Sequence, residues 1–139
     1  MEGAGPVRAE RDLVGAALVA LAIGHIALGA YQLIDPGSFF RELGPFGVRN
    51  DHYTRDVGTF TLALGMGFAV AARRRTWRLG IIGYALLQYV FHSINHLVDI
   101  NKAHPHGLGP GDFAALAVTA AFLGWLFARA VRDQRAANW

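Results

Sequence analysis

The chain contains no cysteine. That absence excludes disulfides, thiolate metal sites, iron–sulfur ligation and thiol redox chemistry, and leaves any bound metal to histidine and carboxylate. Charge is scarce too: 17% of the 139 residues are Asp, Glu, Lys or Arg, against 53% hydrophobic residues and a mean hydropathy of +0.29. These values suit a small integral membrane protein of one domain, residues 1–139, better than a soluble one. The formal net charge is +3, yet the basic residues flank apolar segments and form no stripe interleaved with aromatics, so nucleic acid is not an expected partner. No internal repeat or low-complexity tract is present.

What is there is apolar sequence in four runs, roughly 13–34, 53–72, 79–100 and 112–131. Each is near the length that crosses a hydrocarbon core of about 30 Å, which predicts an all-α integral membrane four-helix bundle with the lipid bilayer as its solvent. The breaks have turn chemistry: Asp35-Pro36-Gly37 after the first run, Arg73-Arg74-Arg75 after the second, and Gly107 to Gly111 before Asp112, which is expected to cap the fourth helix. The Arg-containing N-terminus followed by an apolar run also resembles a signal peptide, with Ala27-Leu28-Gly29 as a tolerable cleavage site, although the run exceeds a typical signal core.

Basic residues are lopsided in the four-span arrangement. Arg8, Arg11, Arg73, Arg74, Arg75, Arg78, Arg129, Arg132 and Arg135 fall on one side, and Arg41, Arg49, Arg55 and Lys102 on the other. The positive-inside rule then places both termini in the cytoplasm, with the plasma (inner) membrane as the expected location. Phe39, Phe40 and Phe46 in the first outer loop, among glycines and prolines, predict a segment lying at the interface and folded over the bundle mouth. Small residues such as Ala16, Ala20, Gly24, Gly65 and Gly67 allow close helix approach, within one chain or in a homo-oligomer.

The third run carries the chemistry. On a helix, Tyr84, Gln88, His92, Asn95, His96 and Asp99 fall within about a third of the circumference. Such a stripe is costly against lipid and is expected to face other helices or a wet cavity. On the first run His25 and Gln32 share a face, and on the second His52, Arg55, Asp56 and Thr59 form a further stripe. At comparable depth these faces predict convergence of His25, Asp56, His92 and His96 in the outer half of the bundle. His104 and His106, in a glycine-containing loop, are expected to be exposed.

Three chemistries fit such a pocket. A non-haem metal ion could be held by His92, His96 and a carboxylate, Asp99 or Asp56, or by His25. Haem b could be ligated between helices by His25 and either His92 or His96. A metal-free pocket could use His/Asp pairs for proton transfer or for a small-molecule ligand. A zinc-protease site is excluded, because Ser93 stands where the motif needs Glu. The resulting expectation is membrane redox chemistry at a metal or haem, whether or not the chain is itself an enzyme. The alternatives are an accessory subunit of a larger, respiratory-type membrane complex, and a small-molecule or proton carrier; for the last, four short helices without an inverted repeat give little room for alternating access.

Arg55-Asp56-Val57-Gly58 followed by Leu62-Ala63-Leu64-Gly65 resembles the Arg-x-x-Gly plus glycine pattern that opens a helix in DoxX-like small four-helix membrane proteins. The resemblance implies the four-helix membrane fold and, as in some members, a link to quinone-coupled oxidoreductases. It carries over no catalytic residue.

Overall fold

A computed structural model describes residues 12–137, so Arg8 and Arg11 of the basic set lie outside the described residues. Among the described residues the chain is helical: α1 Leu13–Ile34, α2 Pro36–Glu42, α3 Asp51–Arg73, α4 Arg78–Val98 and α5 Leu108–Ala137, with a short 3-10 turn at Arg75–Trp77. The sequence chemistry explains the boundaries. Asp12 caps α1 by accepting from the Gly15 N–H at 2.8 Å. Asp35 ends α1 and caps α2 at the same time, accepting from Ser38 N–H at 2.9 Å, with Pro36 in the first turn where a missing N–H costs nothing. Asn50 caps α3 by accepting from the N–H groups of His52 and Tyr53.

The outer loop, expected as an interfacial segment, contains the helix α2, and one expectation about boundaries is corrected. The last helix starts at Leu108, so Asp112 lies inside its second turn and is not the cap. Pro110 sits in the first turn of α5, where a proline is tolerated.

Of the four long helices, α1 and α5 are long and apolar enough to cross a membrane. The apolar runs of α3 and α4 are diluted by the polar residues at one end of each. Much apolar side chain is left outside the chain's own packing, including Ile23, Phe60, Met66, Phe91 and Val118, each at least 60% exposed.

The helices pack as two pairs, α1 lengthwise on α3 and α4 lengthwise on α5, with only slight contact between the pairs. Glycine sets the first pairing. A Cβ at Gly29 would stand 2.6 Å from the Leu62 backbone nitrogen, one at Gly65 2.8 Å from that of Ile26, and one at Gly58 2.9 Å from Gln32 Cβ. Such close approach brings the two helices into direct packing along their length. The core lies towards one end: Val14 and Leu18 of α1, Phe68 and Ala71 of α3, Ile82 and Ala85 of α4, and Leu123 and Leu126 of α5 are all fully buried.

That end is closed by Arg78. Its Nη1 and Nη2 donate to the two carboxylate oxygens of Asp12 at 2.8 and 2.5 Å, and Nε and Nη2 also donate to the carbonyls of Ala71 and Ala72. One planar guanidinium thus joins the start of α1, the end of α3 and the start of α4. The pairing holds the Asp12 carboxyl below its ordinary value of 3.8, chiefly through the Arg78 hydrogen bonds and against the opposing cost of burial.

Candidate functional site

The opposite end is open. A cavity of about 510 Å³, open to the outside, lies between the two helix pairs and beneath α2. Its walls are mainly apolar: Leu28 from α1, Phe39, Phe40 and Leu43 from α2 and its end, Phe46 from the loop, Tyr53 and Val57 from α3, and Ala115 and Leu116 from α5. The polar residues on the wall include Gln32, Asn50, Thr54, His92, His96 and Asp112. This is the composition of a small-molecule pocket, apolar walls with a few polar groups from different elements.

Local structure fixes the roof. Tyr31 O–H and Ser38 O–H both donate to Glu42, at 3.0 and 2.9 Å, tying α2 to the end of α1. Arg49 binds Asp51 through two nitrogens and lies over Gly37, where a Cβ would stand 2.6 Å from its guanidinium. Phe46 packs edge to face on His96, ring centres 4.8 Å apart, and pairs with Ala103 of the α4–α5 loop in an isolated antiparallel bridge. The His104 N–H donates to the Pro45 carbonyl at 3.3 Å.

Three polar atoms on cavity-lining residues are buried without a partner among the described residues: Gln32 Oε1, His96 Nδ1 and Asp112 Oδ2. They come from α1, α4 and α5. Gln32 as a whole is only 4% exposed. An unpaired buried polar atom costs on the order of 1–3 kcal/mol, so three around one cavity are unusual in a fold with no use for them.

The expected site residues separate into groups. His92 and His96 come together, their Nε2 atoms 3.1 Å apart with one ring N–H donating to the other, and both line the cavity. Gln32 joins them on the wall. His25 does not. Its Nδ1–H donates to the Leu21 carbonyl, which leaves Nε2 to accept from the Tyr89 hydroxyl, both at 2.8 Å. With both nitrogens engaged and its ring against Phe68, His25 is a satisfied core residue rather than a ligand.

The carboxylates expected beside the histidines are elsewhere. Asp99 pairs with Lys102 at 2.8 Å. Asp56 is 51% exposed and faces His52 at 3.4 Å, so the expected convergence of Asp56 with His92 and His96 is corrected. His52, Arg55 and Thr59 are likewise exposed, turned away from the α1-facing side that Gly58 marks. The α4 stripe is split: His92, His96 and Asp99 are partly buried, whereas Tyr84, Gln88 and Asn95 are exposed on the adjoining face. His104 and His106 are exposed, as expected. Among the described residues no three His, Asp or Glu side chains stand as a metal-ligating group.

Sequence reasoning missed Asp112, Asn50, Thr54 and the place of the phenylalanines in the wall. The signal for Asp112 was its seat on the apolar fourth run, which its reading as a cap concealed. No family model, curated protein or solved structure matches the chain.

Proposed function

We propose that the chain is an integral membrane four-helix bundle, with both termini and Arg73 to Arg75 on the cytoplasmic side, that binds a small molecule in the loop-end cavity. The observation that carries this reading is the set of three buried, unpartnered polar atoms on residues lining a largely apolar space of about 510 Å³. Water could serve those atoms, but it gains little from walls of phenylalanine, leucine and valine; an amphipathic ligand serves both. Membrane placement is supported by the apolar lengths of α1 and α5, by the exposed apolar side chains, and by the arginines gathered at the opposite end from the cavity.

The same geometry ranks the chemistries. Bis-histidine haem needs a second free imidazole on another helix, and His25 is already engaged on both nitrogens. A metal ion would find two nitrogens suitably placed, because donors about 2.05 Å from one ion lie about 2.9–3.4 Å apart; the His92 and His96 Nε2 atoms are 3.1 Å apart. A ligand pocket without haem is therefore the preferred reading, and the redox role implied by a DoxX-like resemblance rests only on a motif whose Gly58 and Gly65 serve the packing of α1 on α3.

Two measurements test it. Native mass spectrometry of protein extracted from membranes in mild detergent should show a bound small molecule in wild type and its loss in Gln32→Met. A Soret band, or one equivalent of metal lost in His92→Ala, would replace the organic ligand with a cofactor; bare polypeptide in wild type would overturn the binding reading. Single cysteines at positions 74 and 104 should label from opposite sides of the membrane, and labelling from the same side would overturn the topology.

A second reading is favoured by one observation, the exposed Tyr84, Gln88 and Asn95 on α4. Amide and hydroxyl groups facing away from the chain within a membrane span are best satisfied by another membrane helix, as in an accessory subunit or homo-oligomer.

A further inference from the structure

The cavity has a sign as well as a shape. Among the described residues that line it there is no Lys or Arg, and Asp112 is the one carboxylate. Two of the three unpartnered atoms, Gln32 Oε1 and Asp112 Oδ2, are acceptors in any tautomer of the neighbouring histidines. The third, His96 Nδ1, is an acceptor whenever His96 donates through Nε2 to His92. The cavity therefore carries unpaired acceptors and a carboxylate, beside the amides of Gln32 and Asn50 and the Tyr53 hydroxyl.

The half-buried rings of Phe39, Phe40 and Phe46 line the same space, with Tyr53 at its exposed rim. Aromatic rings attract cations through their quadrupole, more strongly when both are removed from water. A carboxylate left beside apolar walls is costly without a counter-charge. One ligand chemistry answers the acceptors, the charge and the rings together.

Resting on the reading of this cavity as a ligand site, we infer that the ligand is a hydrophobic organic cation, a protonated amine whose N–H groups meet Asp112 and Gln32 while its apolar body lies against Phe39, Phe40 and Phe46. A neutral apolar molecule would leave the acceptors unpaired. An anion would meet Asp112 with no Lys or Arg among the described lining residues to offset it.

The experiment compares two molecules of nearly the same shape, N,N-dimethylbenzylammonium and its carbon isostere isobutylbenzene. Each is titrated at neutral pH into the full chain in phosphatidylcholine nanodiscs, with uptake by empty nanodiscs subtracted. The cation should bind at least about tenfold more tightly, the scale of a charge-assisted hydrogen bond. Asp112→Asn should remove that preference while leaving isobutylbenzene affinity within about twofold. Gln32→Met, which keeps every formal charge, should weaken the cation alone and serves if Asp112→Asn does not fold. Equal binding of both molecules, or tighter binding of isobutylbenzene, overturns the cationic ligand and leaves the cavity as a binding site for neutral molecules. Failure of both to bind overturns the ligand site and this inference with it.

Discussion

At the arginine end of the bundle, every nitrogen of the Arg78 guanidinium has an acceptor, and fully buried Val14, Leu18, Phe68, Ile82 and Leu126 form the core towards that end. At the loop end, Gln32, His96 and Asp112 keep buried polar atoms unpaired beside a cavity of about 510 Å³. The contrast separates two uses of a polar residue within one small bundle. Arg78 and His25 are completed by their own chain and hold helices together. Gln32, His96 and Asp112 are incomplete, and the incompleteness is the part of the molecule that something else can satisfy.

Variants can break this comparison at either end. The largest effect is expected from Arg78→Ala, which leaves the carbonyls of Ala71 and Ala72 without the guanidinium and Asp12 with the Gly15 N–H alone. Loss of about 3 kcal/mol in detergent is expected, measured as a lower thermal midpoint, with ligand binding retained by the folded fraction. Gly65→Ala should follow, because its Cβ would stand 2.8 Å from the Ile26 nitrogen and push α1 off α3. About 1–3 kcal/mol is the usual cost of such overpacking.

At the loop end the sign should reverse. Gln32→Met keeps the length of the side chain and removes an unpaired buried acceptor, so the ligand-free protein should gain about 1 kcal/mol while ligand binding falls. A lower thermal midpoint in this variant would mean that Gln32 is already satisfied and would erase the contrast between the ends.

The smallest expected effect is one of acidity. The Asp12 carboxyl is held below 3.8 in the folded protein, first by the Arg78 hydrogen bonds. A depressed carboxyl contributes stability that is full above its unfolded value and is lost as pH falls through the folded one. Acidification from pH 6 to pH 3 should therefore lower the thermal midpoint of wild type more than that of Arg78→Ala. Equal slopes would show that the ion pair is not formed in solution.

The helices were legible because apolar length is written directly in sequence: the expected first run, 13–34, coincides with α1. Asp35-Pro36 was legible as a stop but not as a start, although an aspartate before a proline serves both ends of a break. The rotation of each helix about its axis was not legible. Polar residues on a largely apolar helix can face a cavity, a partner or the surroundings of the protein, and spacing alone does not choose among them. The rule that a polar stripe turns inward held for His92 and His96 and failed for Asp56, Gln88 and Asn95. Depth and spacing brought Gln32 to the right place, whereas Asp112 needed the true start of α5, five residues earlier than its reading as a cap implied.

The two loops over the cavity touch through the Phe46–Ala103 bridge, the His104–Pro45 hydrogen bond and the Phe46 ring on His96. One loop belongs to the α1–α3 pair and the other to the α4–α5 pair, so these contacts work as a clasp across the seam between the halves. If a molecule leaves by that seam, its residence time is set by how often the clasp parts, a rate that the strength of its own contacts with the cavity wall does not determine.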